Sequence, residues 1–216
     1  MTDAPPRAPS LSAQLRSISG RLGALPTGAR ARLRRMDPER PGSAIGDVVT
    51  LLIAAGVPEG WWSDSTGTER GRAMADERLI RWARVCHLAA TLSGAAGREA
   101  HAPEQEYDAE GQKVGDHHPE RRAGRAIHAA SVSEARLLRL TAARGPALAA
   151  QMRRIARHMA ARAPLPADLT PLAELLLWEG RNEERADRAR LRLARGYYGA
   201  ARAVEKTEMQ GAETTE

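Results

Sequence analysis

His101, His117 and His118 stand close in sequence to Glu104, Glu106 and Asp116, a set of donor types that suits a divalent metal. No two of them hold the i, i+4 helical spacing of a zinc metalloprotease, and few apolar residues surround them to fix a geometry, so a solvated loop is expected there. Cys86 adjoins His87, but a thiolate nucleophile needs a base and a third group to orient it. Neither can be named, which makes Cys86 a buried apolar residue. Glu183, Glu184 and Asp187 share a predicted helix with Arg188, Arg190 and Arg192, the pattern of an ion-paired face rather than of an acid and base at work. Glycine-rich phosphate loops are missing. No catalytic residue, no metal and no cofactor are therefore expected, and the protein is read as not an enzyme.

Arginine is the residue type that remains. The chain carries 33 Lys and Arg against 27 Asp and Glu, a formal net charge of +6, and Lys113 and Lys206 are its only lysines. GC-rich coding alone can favour arginine, so placement matters more than number. From Arg121 to Arg162 there are ten arginines and one acid, Glu134, whereas residues 95–120 hold seven acids against Arg98 and Lys113. Solubility alone would be met by mixed signs. In a helix, arginines three and four residues apart share a face and raise the local potential for a polyanion. Their planar forks suit phosphate oxygens, and little aromatic interleaving means backbone contact rather than base readout.

The elements that must position these arginines are helical. Aromatics make up 3% of the chain and phenylalanine is absent, so Ala and Leu fill the core, a composition that favours helices. One cysteine excludes an intrachain disulfide framework, and no apolar run approaches the roughly 20 residues of a membrane span. Without a signal-peptide pattern in MTDAPPRAPS, a cytoplasmic protein is expected. Apolar spacing predicts helices from Ser10 to Leu25, from a Thr27 cap to Met36, and from Ser43 to Ala55, the last with a strand as its alternative. A long one follows from Ala73 to Leu92, after a loop that holds Trp61 and Trp62. Beyond the acidic stretch, helices are predicted over 121–130, 133–143, 147–161, 169–178 and 182–203. The expected organisation is all-α: a disordered lead (1–9), an N-terminal helical bundle (10–94), a flexible acidic segment (95–120), an arginine-rich C-terminal bundle (121–203) and a disordered tail (204–216).

The C-terminal half carries GRAIHAASVSEARLLRL, then QMRRIARHM, then DLTPLAELLLWEG before a charged helix. In this order the pieces resemble the small, CasB-type subunit of the type I-E CRISPR surveillance complex, Cascade. The matching positions are Gly124-Arg125-Ala126, Glu134 and Arg136, Arg153-Arg154, Asp168, and Trp178 with Gly180-Arg181; ARLRRMDPER, with Arg34 and Arg35, resembles the family's basic helix and turn. Glu179 stands where the family can carry a second Trp. The resemblance implies an all-helical, non-catalytic protein. It implies assembly with the backbone and large subunits and with a second copy of itself, around crRNA, and contact with target DNA or the displaced strand.

Together these readings select Arg34, Arg35, Arg125, Arg136, Arg144, Arg153, Arg154 and Arg181 as sequence-independent nucleic-acid contacts that stabilise an open R-loop, with Trp178 assigned to packing. The alternative is a helical adaptor whose arginines meet an acidic protein partner.

Overall fold

A computed structural model describes residues 10–64, 66–94, 97–107, 112–162 and 166–213. The predicted lead, 1–9, lies outside them. Helix α1 (Leu11–Ala24) starts where Ser10 Oγ accepts the Ala13 N–H, and it buries Leu15, Ile18 and Leu22 along one side. Pro26 separates it from α2 (Thr27–Arg35), in which Thr27 is already helical rather than capping. Only Ala29 and Leu33 of α2 are buried; Arg32 and Arg35 are exposed, and Arg30 and Arg34 are half-buried. A 3₁₀ turn then enters α3 (Ile45–Ala54), a helix despite its Val and Ile, with Val48, Leu51 and Leu52 inside and Ile53 exposed.

Helix α4 (Glu69–Ser93) begins earlier than the apolar rhythm predicts, because Thr68 Oγ accepts the Gly71 N–H and caps it. Nearly every residue from Trp82 to Ser93 is buried, as a helix surrounded on all sides requires. It packs against α1, α2 and α3, and equally against two later helices. Before it, a 3₁₀ turn at Glu59–Trp61 lays Trp61 on Trp82, their rings 17° apart in plane, and Trp62 Nε1 donates to Val57 O.

The later helices are α5 (Ala123–Ala129), α6 (Glu134–Ala142), α7 (Gly145–Arg162), α8 (Thr170–Trp178) and α9 (Glu183–Glu213). α8 is apolar on almost every side and wedges between α4, α7 and α9. α9 runs 31 residues, roughly 46 Å, and stays helical to Glu213 where a frayed tail is predicted from 204. The two groups of helices share one buried cluster from Leu15 to Tyr197, since α4 lies along both α7 and α8.

The acidic segment is not wholly loose. Ser19 Oγ accepts the Ala100 and His101 N–H groups at 2.8 and 3.1 Å, and Ala100, His101 and Pro103 are buried. A two-residue antiparallel ladder joins β1 (Glu106–Tyr107) to β2 (Lys113–Val114). Residues 95–96 and 108–111 lie outside the described residues.

Candidate nucleic-acid interface

Helix α7 turns Leu148, Met152, Ile155 and Met159 inward at helical spacing. That leaves Arg153, Arg154, Arg157, His158 and Arg162 on its outer surface, and its 18 residues include no acid. Two neighbours extend the face. From α6, the Arg136 guanidinium donates to His158 Nε2 at 2.6 Å. On the other flank Arg153 lies 3.6 Å from Asp37, which stands two residues past the end of α2. The α2 end is held in place by His87 Nδ1, which donates to Leu33 O at 2.9 Å, and by Arg84 paired with Glu39 at 2.5 Å. Burial holds His87 below the usual histidine range despite that bond, and the nearby Arg153 and Arg157 push the same way.

Arg34 and Arg35 sit at the end of α2, next to the turn that holds Asp37, while the structure brings together Arg136, Arg153 and Arg154. Arg157 and His158 join them, and their i+3 and i+4 spacing from Arg154 is the signal for it. The other three predicted residues lie elsewhere. Arg125 is exposed on α5. Arg144 donates to Thr141, Ala142 and Ala143 carbonyls and so closes the end of α6. Arg181 stands in the turn between α8 and α9. Several arginines are committed to acids instead: Arg32 to Asp47, Arg122 to Glu104, Arg190 to Asp187 and Arg192 to Glu174. Among the described residues Arg125, Arg154, Arg157 and Arg181 have no ion-pair partner.

His101, His117, His118 and Cys86 are each buried or paired. His101, expected in a solvated loop, is buried: Nδ1 accepts the Leu169 N–H at 3.0 Å and Nε2 meets Ser12 Oγ at 3.2 Å. Desolvation pushes it down to about 4, against the pull of Asp168. His117 pairs with Glu104 and His118 with Glu120 at the surface. Cys86 is fully buried and its thiol is pushed up to about 12, which leaves no thiolate for chemistry. Among the described residues no group of three His, Cys, Asp or Glu side chains is placed to hold a metal ion, and no helix is long and apolar enough to cross a membrane.

A family model for CRISPR-associated protein Cse2 matches residues 29–198. The chain belongs to the Cse2 family. That family is the small, non-catalytic subunit of type I-E Cascade. The Cse2 match begins within α2 and ends within α9, so it spans all eight predicted arginines and the whole α7 face. No curated protein and no solved structure matches the chain.

Proposed function

We propose that this Cascade subunit stabilises the open R-loop through sequence-independent contacts between its arginine face and the backbone of target DNA or the displaced strand. The observation that carries this reading is the outer surface of α7, a helix without an acid in its own sequence, extended by Arg136 from α6. Guide pairing exchanges one duplex for another of similar stability, so modest backbone contacts tip the balance. Arginine stays protonated at any cellular pH and requires no particular base. The protein works beside the backbone and large subunits and a second copy of itself, in the cytoplasm.

Binding of the purified chain to single- and double-stranded DNA across a salt series tests the reading. Each phosphate contact on a single strand contributes about −0.7 to the slope of log affinity against log salt. Substituting Arg153→Ala and Arg154→Ala flattens that slope by roughly one to two units. An unchanged slope removes these residues from phosphate contact and favours the adaptor alternative, in which the same arginines face an acidic protein.

A further inference from the structure

Away from α7, the start of α1, the turn at Glu59–Trp61, α4, α8 and the α8–α9 turn enclose a cleft of 520 Å³. That size lies within the roughly 300–1,000 Å³ of sites that hold small ligands. Trp61 and Trp178 line it together with Arg78, Arg81, Arg181 and Arg185. Its one acidic lining residue, Glu174, is already paired with Arg192.

The walls are braced and the rim is open. Trp61 is backed by Trp82 at a centroid distance of 6.1 Å, and the Trp82 indole N–H donates to Trp61 O at 3.2 Å. Arg81 donates to Leu177 O near the end of α8 and to Glu179 O just past it, and also pairs with Glu77; Arg78 donates to Ser63 O. Arg181 and Arg185 are exposed and form no ion pair among the described residues, although Glu77, which pairs with Arg81, lies near enough to Arg181 to feel its charge. The Arg185 guanidinium carbon lies 4.7 Å from the Trp178 ring centroid, so this indole already carries a flat cationic partner onto which another ring can stack.

Flat aromatic walls with exposed arginines at the rim match the order of groups in a nucleic-acid strand, a planar base between two phosphates. We propose that the cleft receives one unpaired nucleobase of a single strand, stacked at Trp61 and Trp178, with the adjoining phosphates held by Arg181 and Arg185. This rests on the nucleic-acid reading above and adds to it a site for a base. An acidic protein segment meets the same charge but sets a ring between its anions only where an aromatic residue happens to be interleaved, whereas a strand does so at every nucleotide, so a strand is the occupant favoured.

The test compares a thymidine oligonucleotide of about 12 residues with an abasic oligonucleotide carrying the same number of phosphates. Affinity is measured for the full chain by anisotropy, and base stacking by quenching of the four tryptophans. The base-bearing strand binds about tenfold more tightly and quenches; Arg181→Ala with Arg185→Ala, and separately Trp178→Leu, bring the ratio near one. Substituting Arg153→Ala and Arg154→Ala weakens both strands equally and preserves the ratio. Photocrosslinking of an iodouracil strand places adducts on Trp61 or Trp178. Because Arg181 and Arg185 are exposed, their variant folds and carries the test if Trp178→Leu does not. Equal, salt-dependent binding of both strands without quenching overturns the base site and leaves the phosphate face standing. If neither strand binds, both readings fail. Loss of assembly with other Cascade subunits at an unchanged strand ratio assigns the cleft to an acidic protein segment and overturns the proposal.

Discussion

Gly124 and Gly196 meet where α5 crosses α9. A Cβ on Gly124 would lie 2.1 Å from Leu193 O and 2.6 Å from Tyr197 N, and one on Gly196 would lie 3.1 Å from Gly124 Cα. Side chains on either would force the helices apart, and Tyr197 would then lose its 2.8 Å bond to Val132 O. Gly124→Ala is expected to cost about 1–3 kcal/mol, seen as a lower midpoint in thermal or denaturant unfolding. Gly199, also on α9, has open space around a Cβ, so Gly199→Ala leaves stability unchanged or raises it by up to about 1 kcal/mol. Equal effects of the two substitutions would show that the crossing is not tightly packed.

The Arg153 guanidinium is partly neutralised by Asp37, whose Oδ1 also accepts the Glu39 N–H at 3.2 Å. Asp37→Asn keeps an acceptor for that turn and removes the charge. An exposed pair of this kind contributes well under about 1 kcal/mol to folding. Affinity for single-stranded DNA should rise about twofold at low salt and return to the wild-type value as salt screens the difference. Titrations at several salt concentrations measure this, and a variant indistinguishable from wild type at low salt would place phosphates away from Arg153.

His101 ties acid stability to the docking of residues 100–101 on α1 and α8. Its Nδ1 accepts a hydrogen bond from the Leu169 N–H, so a proton there sets two donors against each other. The folded-state value is lowered from 6.5 to about 4, so the unfolded chain takes up the proton first as pH falls. Stability is therefore complete above pH 6.5 and declines toward pH 4, by on the order of 3 kcal/mol, with His87 adding in the same direction. In urea titrations across this range, His101→Asn keeps an acceptor in a group that does not titrate, and should flatten the decline. A wild-type curve flat between pH 6.5 and 4 would contradict the buried neutral form.

Helices α1 and α7 could be read from spacing because each buries one local stripe: Leu15, Ile18 and Leu22, or Leu148, Met152, Ile155 and Met159. The outward arginines of α7 follow from the same stripe by subtraction. What spacing cannot carry is who sits next to α7. The nearness of Arg153 to Asp37, and of Arg136 to His158, depends on how whole helices pack. His101 illustrates the same limit, since its polar surroundings suggest a wet loop while Ser12, Ser19 and Leu169 bury it from far along the chain. Arg144 looks like its exposed neighbours, and only the end of α6 reveals that its guanidinium is occupied by carbonyls.

If the α7 face acts on DNA, substituting Arg35, Arg136, Arg153 and Arg154 together by Ala leaves Cascade assembly intact and weakens strand opening. These side chains are exposed or half-buried, and their removal takes no apolar volume from the core. Each lost contact is small. Four acting together shift a nearly balanced strand exchange by a few kcal/mol, on the order of ten- to a thousandfold in occupancy. The defect is expected to narrow as salt rises, because the missing attraction is screened in the wild type as well. Native mass spectrometry of complex purified with the substituted subunit gives stoichiometry, and permanganate footprinting of target DNA reads opening. Loss of the subunit from the complex would assign the four arginines to a protein partner. Normal opening at normal stoichiometry would leave them no part in the R-loop, since nothing in the exchange would then depend on the charge they supply.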